Sequence, residues 1–381
     1  MLSDYIVLLK ENGFSDEEIE LISSYYSKYS NVLTEYKDIV GDELIPSKKF
    51  FLHNLKHYSY MLDTSVDNTV RKSYLNMNKY FTYPVIKALG SNFLMSKQVF
   101  EDRNVLLGKS GKDTGITLPN EPVIWTPNHH FKDDVLASIL ATKRPACMLF
   151  ASIPHFYNSF DGILAYYVGV IILNRKSKES RKVVMDKMKK VLSYNRDLMA
   201  WPEGVWNKTP NKLMLNLWPG FYRVAKETGV SCVPMVHYIS DTTQKDKSAL
   251  IHTVIDNPID FNNMHGMSEK ACLEYYRDVM CTWYYLMMEK YGKSTRSEEL
   301  SGYASQTEAW ESHLSELLKN VDGYDFSIET SADYRNKDTL NIDEVYESIA
   351  KLEINFSNRK SVSDTRKLVK EYKRNDFQRR F

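Results

Sequence analysis

The chain of 381 residues contains only four cysteines, and their spacing excludes two kinds of stabilising site. Cys147, Cys232, Cys272 and Cys281 form no C-x-x-C pair. A zinc site built on cysteines is therefore not expected, because such sites use closely spaced ligand pairs. Four cysteines in a chain of this length also do not indicate a disulfide framework, and a reducing compartment is the better expectation.

The sequence also lacks a hydrophobic run long enough to cross a bilayer as a helix. The longest clean apolar run, Ile163–Leu173, has 11 residues, whereas a spanning helix needs about 20. The N-terminal residues include acidic side chains early and lack the basic and apolar segments of a secretory signal peptide. These features predict a cytoplasmic protein that is soluble or touches the inner face of a membrane peripherally.

An excess of charge of one sign is absent from the chain as a whole. Lys and Arg number 50 and Asp and Glu 49, which gives a formal net charge of +1. A dedicated nucleic-acid binder carries a strong basic excess, so no nucleic-acid partner is expected. The local exception is the segment 357–381, where nine basic residues stand against three acidic ones. This tail favours contact with an anionic membrane, and a solvated tail is the equally open alternative.

Hydrophobic patterning divides the chain into three predicted parts. Residues 1–100 are predicted as a helical N-terminal region, 101–265 as an α/β domain, and 266–381 as a helical C-terminal extension with the basic tail. Alternation of short apolar runs with helical patterns predicts an α/β fold with a central mixed sheet flanked by helices. The predicted strands are Val123–Thr126, Ala146–Ala151, Val170–Leu173, Leu198–Trp201, Val233–Ile239 and Leu250–Ile255. The main predicted helices are Asp133–Leu140, Ser180–Leu192, Phe221–Thr228, Glu269–Tyr291 and Gln306–Asn320.

The first candidate for chemistry directly follows the strand that ends at Thr126. The segment 127–134 reads Pro-Asn-His-His-Phe-Lys-Asp-Asp, and α/β proteins place their sites where strands end in this way. Asp134 falls in the first turn of the predicted helix, from where its carboxylate can reach back to the ring of His129. A carboxylate on one ring nitrogen fixes the tautomer and leaves the other nitrogen as a general base. A helix-capping arrangement without a catalytic role is the open alternative.

Three further patterns occur at strand boundaries. A strand beginning after Gly169 leads to Arg175, which is either positioned to bind an anion or is a surface arginine after a buried strand. The segment Leu198–Gly204 runs into a Pro-x-Gly turn, which either displays Glu203 at the end of the sheet or is a plain turn. Val233–Val236 is a strand with proline near its start, as is usual at a sheet edge or a first strand position.

The order of these four patterns resembles the glycerolipid acyltransferase family, which includes 1-acyl-glycerol-3-phosphate and glycerol-3-phosphate acyltransferases. The blocks N-H-x4-D, G-x5-R, P-E-G and V-P-x-V each stand at a strand boundary, and the resemblance covers about residues 100–260. It does not extend to the helical regions on either side.

The resemblance implies a role for each matching residue. His129 is implied to be the general base and Asp134 its orienting carboxylate. Arg175 is implied to hold the phosphate of an acceptor, and Glu203 and Gly204 to bind the acceptor. The fourth block, with its proline, is implied to serve acyl-donor binding or the structure of the site.

The sequence departs from the family's pattern in two blocks. Phe131 stands where the first block usually has a serine two positions after the histidine. Val205-Trp206-Asn207 stands where the third block usually reads Thr-Arg-Ser, which removes one expected phosphate ligand. Lys208 and Lys212 lie nearby, but lysine is a point charge rather than a planar fork. Poorer use of phosphorylated acceptors than in typical members is therefore expected.

The predicted activity is transfer of a fatty acyl group from a thioester, acyl-coenzyme A or acyl-carrier protein, to a hydroxyl of a lipid or lipid precursor. By family resemblance the acceptor is of the lysophosphatidic-acid type, which belongs to phospholipid biosynthesis. A thioester is already activated, so no enzyme nucleophile, bound cofactor or metal is expected. The sequence also has no G-x-S-x-G or H-E-x-x-H motif. Three alternatives stay open: a non-phosphate acceptor such as a sugar, an amine or another alcohol, a non-catalytic lipid-binding protein, and a thioester or lipid hydrolase.

Overall fold

The computed structural model describes residues 2–35, 39, 48–65, 71–94, 97–130, 134–151, 160–204, 214–240 and 250–291. Within these ranges the chain forms two compact units. The first contains the described residues up to 88 together with 142–200, and the second contains 89–141 together with the described part of 201–307. The three-part division made from the sequence stays a prediction, and most of its last part lies outside the described residues.

Among the described residues, seven strands belong to a mixed sheet that is flanked by helices, which confirms the predicted α/β fold. The strands are β1 (Lys97–Phe100), β2 (Ile124–Pro127), β3 (Ala146–Ala151), β4 (Val170–Leu173), β5 (Asp197–Ala200), β6 (Cys232–Ser240) and β7 (Leu250–Ile255). The α-helices are α1 (Leu2–Glu11), α2 (Asp16–Lys28), α3 (Lys48–Leu62), α4 (Lys72–Met77), α5 (Tyr83–Leu89), α6 (Arg103–Leu106), α7 (Asp134–Ala141), α8 (Phe160–Val168), α9 (Lys178–Ser193), α10 (Gly220–Thr228) and α11 (Glu269–Tyr291). A π-helical turn, Asn78–Thr82, joins α4 to α5, and 3₁₀ turns cover Gly90–Phe93 and Phe261–Asn263.

All six runs predicted as strands are strands in the structure, and β3, β4 and β7 have the predicted bounds. The sequence predicts these strands well because a strand that is covered on both faces reads as a nearly continuous apolar run. Helix α10 ends as predicted at Gly229, whose φ of 72° lies in the left-handed region that favours glycine. The predicted helix Gln306–Asn320 lies outside the described residues. None of the helices described here combines the length and the apolar character that a bilayer crossing requires.

In the first unit, three parallel strands lie side by side in the order β5, β3, β4. Helix α9 packs against β4 and β5 and buries the apolar face that its spacing predicts, with Val184, Met188 and Val191 turned inward. Helix α2 begins with a capping box, in which the Ser15 hydroxyl accepts from the N–H of Glu18 and the Glu18 carboxylate accepts from the N–H of Ser15. Local sequence therefore fixes both of these helices before packing is considered.

In the second unit, four strands lie in the order β1, β7, β6, β2. Strands β2 and β6 are parallel, β6 and β7 are antiparallel, and β7 and β1 are parallel. Helix α11 packs against β6. Because β2 and β6 run in the same direction, the residues that follow β2 emerge beside the carboxyl-terminal half of β6, and this is where the candidate site is built.

Pro234 is the third residue of β6 and lies between β2 and β7, not at an edge or a first strand position. Its carbonyl accepts from the N–H of Asp256 at 2.9 Å. The β6–β7 register begins one residue later, where Met235 pairs with Ile255. The proline therefore stands at the end of that ladder, where its missing N–H removes at most one bond. A central strand tolerates proline at such a position.

The structure corrects the sequence prediction at Lys97–Phe100, which the pattern placed in the helical N-terminal region. These residues form β1 and pair in parallel with residues 250–253 of β7. The Gln98 side-chain amide adds a hydrogen bond to the Thr253 hydroxyl at 2.8 Å and one to the carbonyl of Ala137 at 3.0 Å. A strand this short has no period of its own, so its pairing partner decides its conformation.

A buried carboxylate ties the end of α11 to β7. One oxygen of Glu101 lies 2.7 Å from His252 Nδ1, and the other accepts from Lys290 Nζ at 3.0 Å and from the hydroxyl of Tyr291. The rings of His252 and Tyr291 are stacked at 3.7 Å. Burial raises the pKa of Glu101, but the hydrogen bonds from His252, Tyr291 and Lys290 outweigh it and lower the pKa to about 2. The carboxylate is thus ionised at any physiological pH.

Candidate active site

The residues after β2 bring a histidine and a carboxylate into direct contact. His129 lies two residues beyond the end of β2, and Asp134 is the first residue of α7. His129 Nδ1 lies 2.8 Å from Asp134 Oδ2, and the same oxygen accepts from the backbone N–H of His130 at 2.9 Å. The Asp134 side chain is fully buried, whereas 16% of the His129 side chain is exposed. The structure therefore joins the two residues that the sequence analysis paired.

This geometry determines what the pair can do chemically. A carboxylate on Nδ1 favours the tautomer with its proton on Nδ1, which makes Nε2 the basic nitrogen of the His129 ring. The carboxylate of Asp134 also sits at the N-terminus of α7, where the helix dipole favours negative charge. Trp201 lies against the His129 ring with centroids 5.6 Å apart, which limits how far the ring can turn. Nε2 is therefore the ring nitrogen of His129 that can accept a proton.

A tight turn after β5 places a second carboxylate, that of Glu203, beside the backbone of His129. The turn spans Trp201–Gly204 and is closed by a hydrogen bond from the N–H of Gly204 to the carbonyl of Trp201 at 3.0 Å. Pro202 holds the second position, where its fixed φ is favourable, and Gly204 closes the turn with a φ of 74°. Glu203 holds the third position of the turn. The P-E-G pattern is thus explained by backbone conformation for two of its three residues.

Glu203 is fully buried, so the Pro-x-Gly turn does not display it at the end of the sheet, which was one of the two interpretations of this pattern. Its Oε1 accepts from the backbone N–H of His129 at 2.8 Å, and its Oε2 accepts from the backbone N–H of Leu215 at 2.8 Å. A buried carboxylate is stable only where donors replace water, and these two N–H groups supply that replacement. Glu203 therefore fixes the backbone of the residue that carries the candidate base.

His130 also lies at this site, although its spacing to Asp134 is one residue shorter than the N-H-x4-D pattern requires. Its Nε2 lies 3.6 Å from Glu203 Oε1, and its ring packs on Tyr284 of α11 with centroids 4.8 Å apart. No local sequence pattern indicates these contacts, because Glu203 and Tyr284 are distant from His130 in the chain. The two adjacent histidines thus have different surroundings, and His129 is the one held by Asp134.

The asparagine of the N-H-x4-D block holds the loop to β6. Asn128 is buried, its side-chain amide donates to the carbonyl of His237 at 2.9 Å, and its side-chain oxygen accepts from the N–H of His237 at 2.7 Å. The side chain thus reproduces the two hydrogen bonds of a strand pair just beyond the end of β2. This clamp fixes the position from which His129 projects.

The ring of His237 connects the same strand to α7. Its Nε2 lies 2.8 Å from the hydroxyl of Ser138, and its Nδ1 lies 2.9 Å from the hydroxyl of Thr253. Ser138 is one helical turn after Asp134 and donates to the Asp134 carbonyl. This buried network therefore ties the first turn of α7 to β6 and β7. Within the described residues, no group of His, Cys, Asp and Glu side chains is arranged to hold a metal ion.

Two comparisons place the chain beside known proteins. Residues 110–238 match the family model described as Acyltransferase, and this segment includes the His129–Asp134 pair and the turn at Glu203. A crystal structure of the 1-acyl-sn-glycerophosphate (LPA) acyltransferase PlsC from Thermotoga maritima also matches, with a TM-score of 0.40 and 14% identity over 70% of this chain and 95% of that one. No curated protein matches the chain.

The structure places the remaining predicted site residues as follows. Arg175 is half-buried between β4 and α9 in the first unit, and its carbonyl accepts from the Arg181 guanidinium. Gly169, which opens the same block, has a φ of 84°, and a Cβ there would lie 3.2 Å from Cys147 Sγ. The backbone conformation at position 169 therefore requires glycine. Lys208, Lys212, Phe131 and the Val205-Trp206-Asn207 segment lie outside the described residues.

Acid is expected to destabilise the second unit through His237. Burial lowers the pKa of His237 to about 3, against 6.5 for an ordinary histidine. Between these two values the unfolded chain binds a proton that the folded chain does not, so the free energy of unfolding falls as the pH falls. Chemical denaturation across this pH range should show the slope, and His237→Gln should reduce it by up to one bound proton. His265→Gln, at an exposed histidine, should leave it unchanged, and equal slopes in both variants would contradict the assignment.

Proposed function

We propose that the segment matched by the family model, 110–238, is part of an acyltransferase that moves a fatty acyl group from a thioester to the hydroxyl of a lipid or lipid precursor. The donor is acyl-coenzyme A or acyl-carrier protein, and the acceptor is of the lysophosphatidic-acid type, which would place the reaction in phospholipid biosynthesis. The observation that carries the proposal is the His129–Asp134 contact of 2.8 Å, directly after a strand and inside the matched family segment.

The proposed reaction needs one proton carrier and no covalent enzyme intermediate. His129 Nε2 takes the proton of the acceptor hydroxyl while its oxygen attacks the thioester carbonyl. The C–O bond forms, the C–S bond breaks, and the imidazolium returns the proton to the departing thiolate. Asp134 holds the ring in the reactive tautomer and stabilises the imidazolium in between. An intact base with its carboxylate also argues against a non-catalytic lipid-binding protein.

In this proposal Glu203 is a positioning residue, because both of its oxygens accept backbone N–H groups in the folded chain. Binding of the acceptor by Glu203 and Gly204 and of its phosphate by Arg175 stay predictions from the family resemblance. Substrate binding by Lys208 stays a prediction from its place beside the third block, where it could replace the missing arginine. The two roles of Glu203 differ in their kinetic consequences. A positioning residue affects kcat and stability, whereas a binding residue raises the KM for the acceptor.

A non-phosphate acceptor is the second candidate, and it rests on a sequence observation. Where a typical third block has Thr-Arg-Ser, this chain has Val205-Trp206-Asn207 and so lacks an arginine next to the P-E-G turn. A phosphate dianion is held best by several charge-assisted donors. We therefore expect lysophosphatidic acid to be a poorer acceptor here than in typical family members.

A single assay series tests the activity and separates the acceptors. Purified full-length protein is incubated with labelled acyl-coenzyme A or acyl-carrier protein and with lysophosphatidic acid, an uncharged monoacylglycerol, or both in competition. Formation of an acylated lipid supports the proposal, and release of free fatty acid alone identifies a hydrolase and contradicts it.

Arg175→Ala decides whether the acceptor phosphate is recognised. We expect it to raise the KM for lysophosphatidic acid about tenfold or more, because a charge-assisted pair is lost, and to leave the monoacylglycerol reaction unchanged. The uncharged acceptor is thus the internal control. An equal effect on both acceptors would remove Arg175 from phosphate binding.

A further inference from the structure

Helix α9 and the residues just before it carry a concentration of positive charge. The segment 175–190 contains eight Lys or Arg residues and two acidic residues, whereas the chain as a whole has a formal net charge of +1. Of the eight, Lys187 is buried, and the others are exposed or partly exposed. The local excess of positive charge therefore faces water.

Three lysines of this segment lie along one side of α9. Lys178, Lys182 and Lys189 occupy positions i, i+4 and i+11 of the helix, which differ by less than about 45° around its axis. We call them the lysine row, and it extends roughly 16 Å along the helix. Val184 and Val191, on the opposite side, are buried. The helix therefore turns its apolar side inward and presents the lysine row outward.

The lysine row opposes the stability of the helix that carries it. Lys178 is the first residue of α9, where the helix dipole disfavours positive charge. Lys178 and Lys182 are four residues apart, and like charges at this spacing destabilise a helix. Asp186 pairs with Lys189 at 3.0 Å and offsets part of the charge. Charges that a helix does not need for its own stability are expected where its surface has a function.

An acidic protein surface is the ligand that fits the lysine row best. None of the large apolar side chains exposed in the described part of the chain lies within 171–200, whereas a helix that binds a bilayer needs an apolar side next to its cations. Small anions bind in concave sites, and side chains on the outside of a helix form a convex surface. A row of cations of this length can meet several carboxylates on a partner protein, where complementary charge sets the association rate and the choice of partner.

We propose that the lysine row is the docking surface for an acyl-carrier protein that delivers the acyl group. This inference rests on the proposed function and chooses between the two donors named there. An acyl-carrier protein is an acidic protein, whereas coenzyme A has no protein surface that could meet the lysine row. The row begins three residues after Arg175, so the carrier docks beside the block that the family resemblance assigns to the acceptor.

A binding measurement with the full chain tests the docking surface without any turnover. The probe is a purified acyl-carrier protein loaded with a palmitoyl chain, and no acceptor is added. We expect calorimetry to show binding that weakens as salt is raised. Lys178→Glu with Lys182→Glu should weaken it about tenfold or more, because attraction to the carrier becomes repulsion.

The matched control makes the same change in net charge elsewhere on the chain. Lys28→Glu with Lys270→Glu replaces two exposed lysines, on α2 and α11, and should bind the carrier like the unaltered chain. Equal losses in both double variants would mean that net charge alone attracts the carrier, which would overturn the proposal. Absence of carrier binding by the unaltered chain would also overturn it.

Steady-state kinetics with the two donors separate this inference from the proposed function. With acyl-carrier protein as donor, the Lys178/Lys182 double variant should lower kcat/KM about tenfold or more, and with acyl-coenzyme A it should leave kcat/KM unchanged. An equal loss with both donors would overturn the docking surface, as would lost binding to phosphatidylglycerol vesicles together with unaltered carrier binding. If neither donor yields an acylated product while the double variant still loses carrier binding, the proposed activity is wrong and the docking surface stands.

Discussion

Replacing His129 by alanine is expected to lower kcat by about 10²–10⁴-fold, which is the usual contribution of a positioned general base. The KM values should change far less, because the ring takes the hydroxyl proton and is not expected to hold the substrate. Stopped assays with saturating acyl thioester measure the loss, and circular dichroism confirms that the variant is folded. Asp134→Asn should cause a comparable loss, since the amide cannot stabilise the imidazolium.

His130→Ala is the matched control for this prediction. His130 is adjacent to His129, but only His129 has Asp134 on a ring nitrogen. We expect the His130 variant to retain much more activity, with a modest loss because His130 also lies beside the buried carboxylate of Glu203. If His130→Ala were as damaging as His129→Ala, the base would be wrongly assigned.

Replacing Glu203 by glutamine is expected to lower both stability and kcat. The amide can accept from only one of the two backbone N–H groups that Glu203 now satisfies, those of His129 and Leu215. A buried N–H without an acceptor costs about 1–3 kcal/mol of unfolding free energy. The backbone that carries His129 also loses its anchor, and a misplaced catalytic group can cost about 10²-fold in rate.

Urea denaturation and steady-state kinetics on the same preparation measure both effects. Glu227→Gln removes an exposed carboxylate and should change stability by less than about 0.5 kcal/mol. Normal stability of Glu203→Gln together with a raised KM for the acceptor would instead favour the binding role implied by the family resemblance, and would count against positioning.

The sequence alone determined the elements whose signals are local. Strands β3 and β4 are continuous apolar runs, β7 is apolar except for His252 and Thr253, and α10 ends at a glycine, so their bounds follow from neighbouring residues. The His129–Asp134 contact belongs to the same class. The two residues are five positions apart across a strand-to-helix junction, and the geometry of that junction brings the carboxylate back to the ring.

Only the tertiary structure decided which other groups complete the site. Glu203 lies 74 positions from His129, and its burial depends on N–H donors that two separate loops supply. The ring of His130 packs on Tyr284 of α11. Residues 97–100 form β1 because they pair with β7.

The helical run 72–89 shows the same division between local and tertiary information. The spacing of Tyr80, Phe81 and Val85 fits a helix in either orientation, and the bonds of Asn78 to the carbonyls of Ala146 and Val168 decide which side meets water. Periodicity records which residues share a face, because that depends on the rise and turn of the local backbone. It does not record what the face packs against, because that depends on hydrogen bonds and burial contributed by residues far away in the chain.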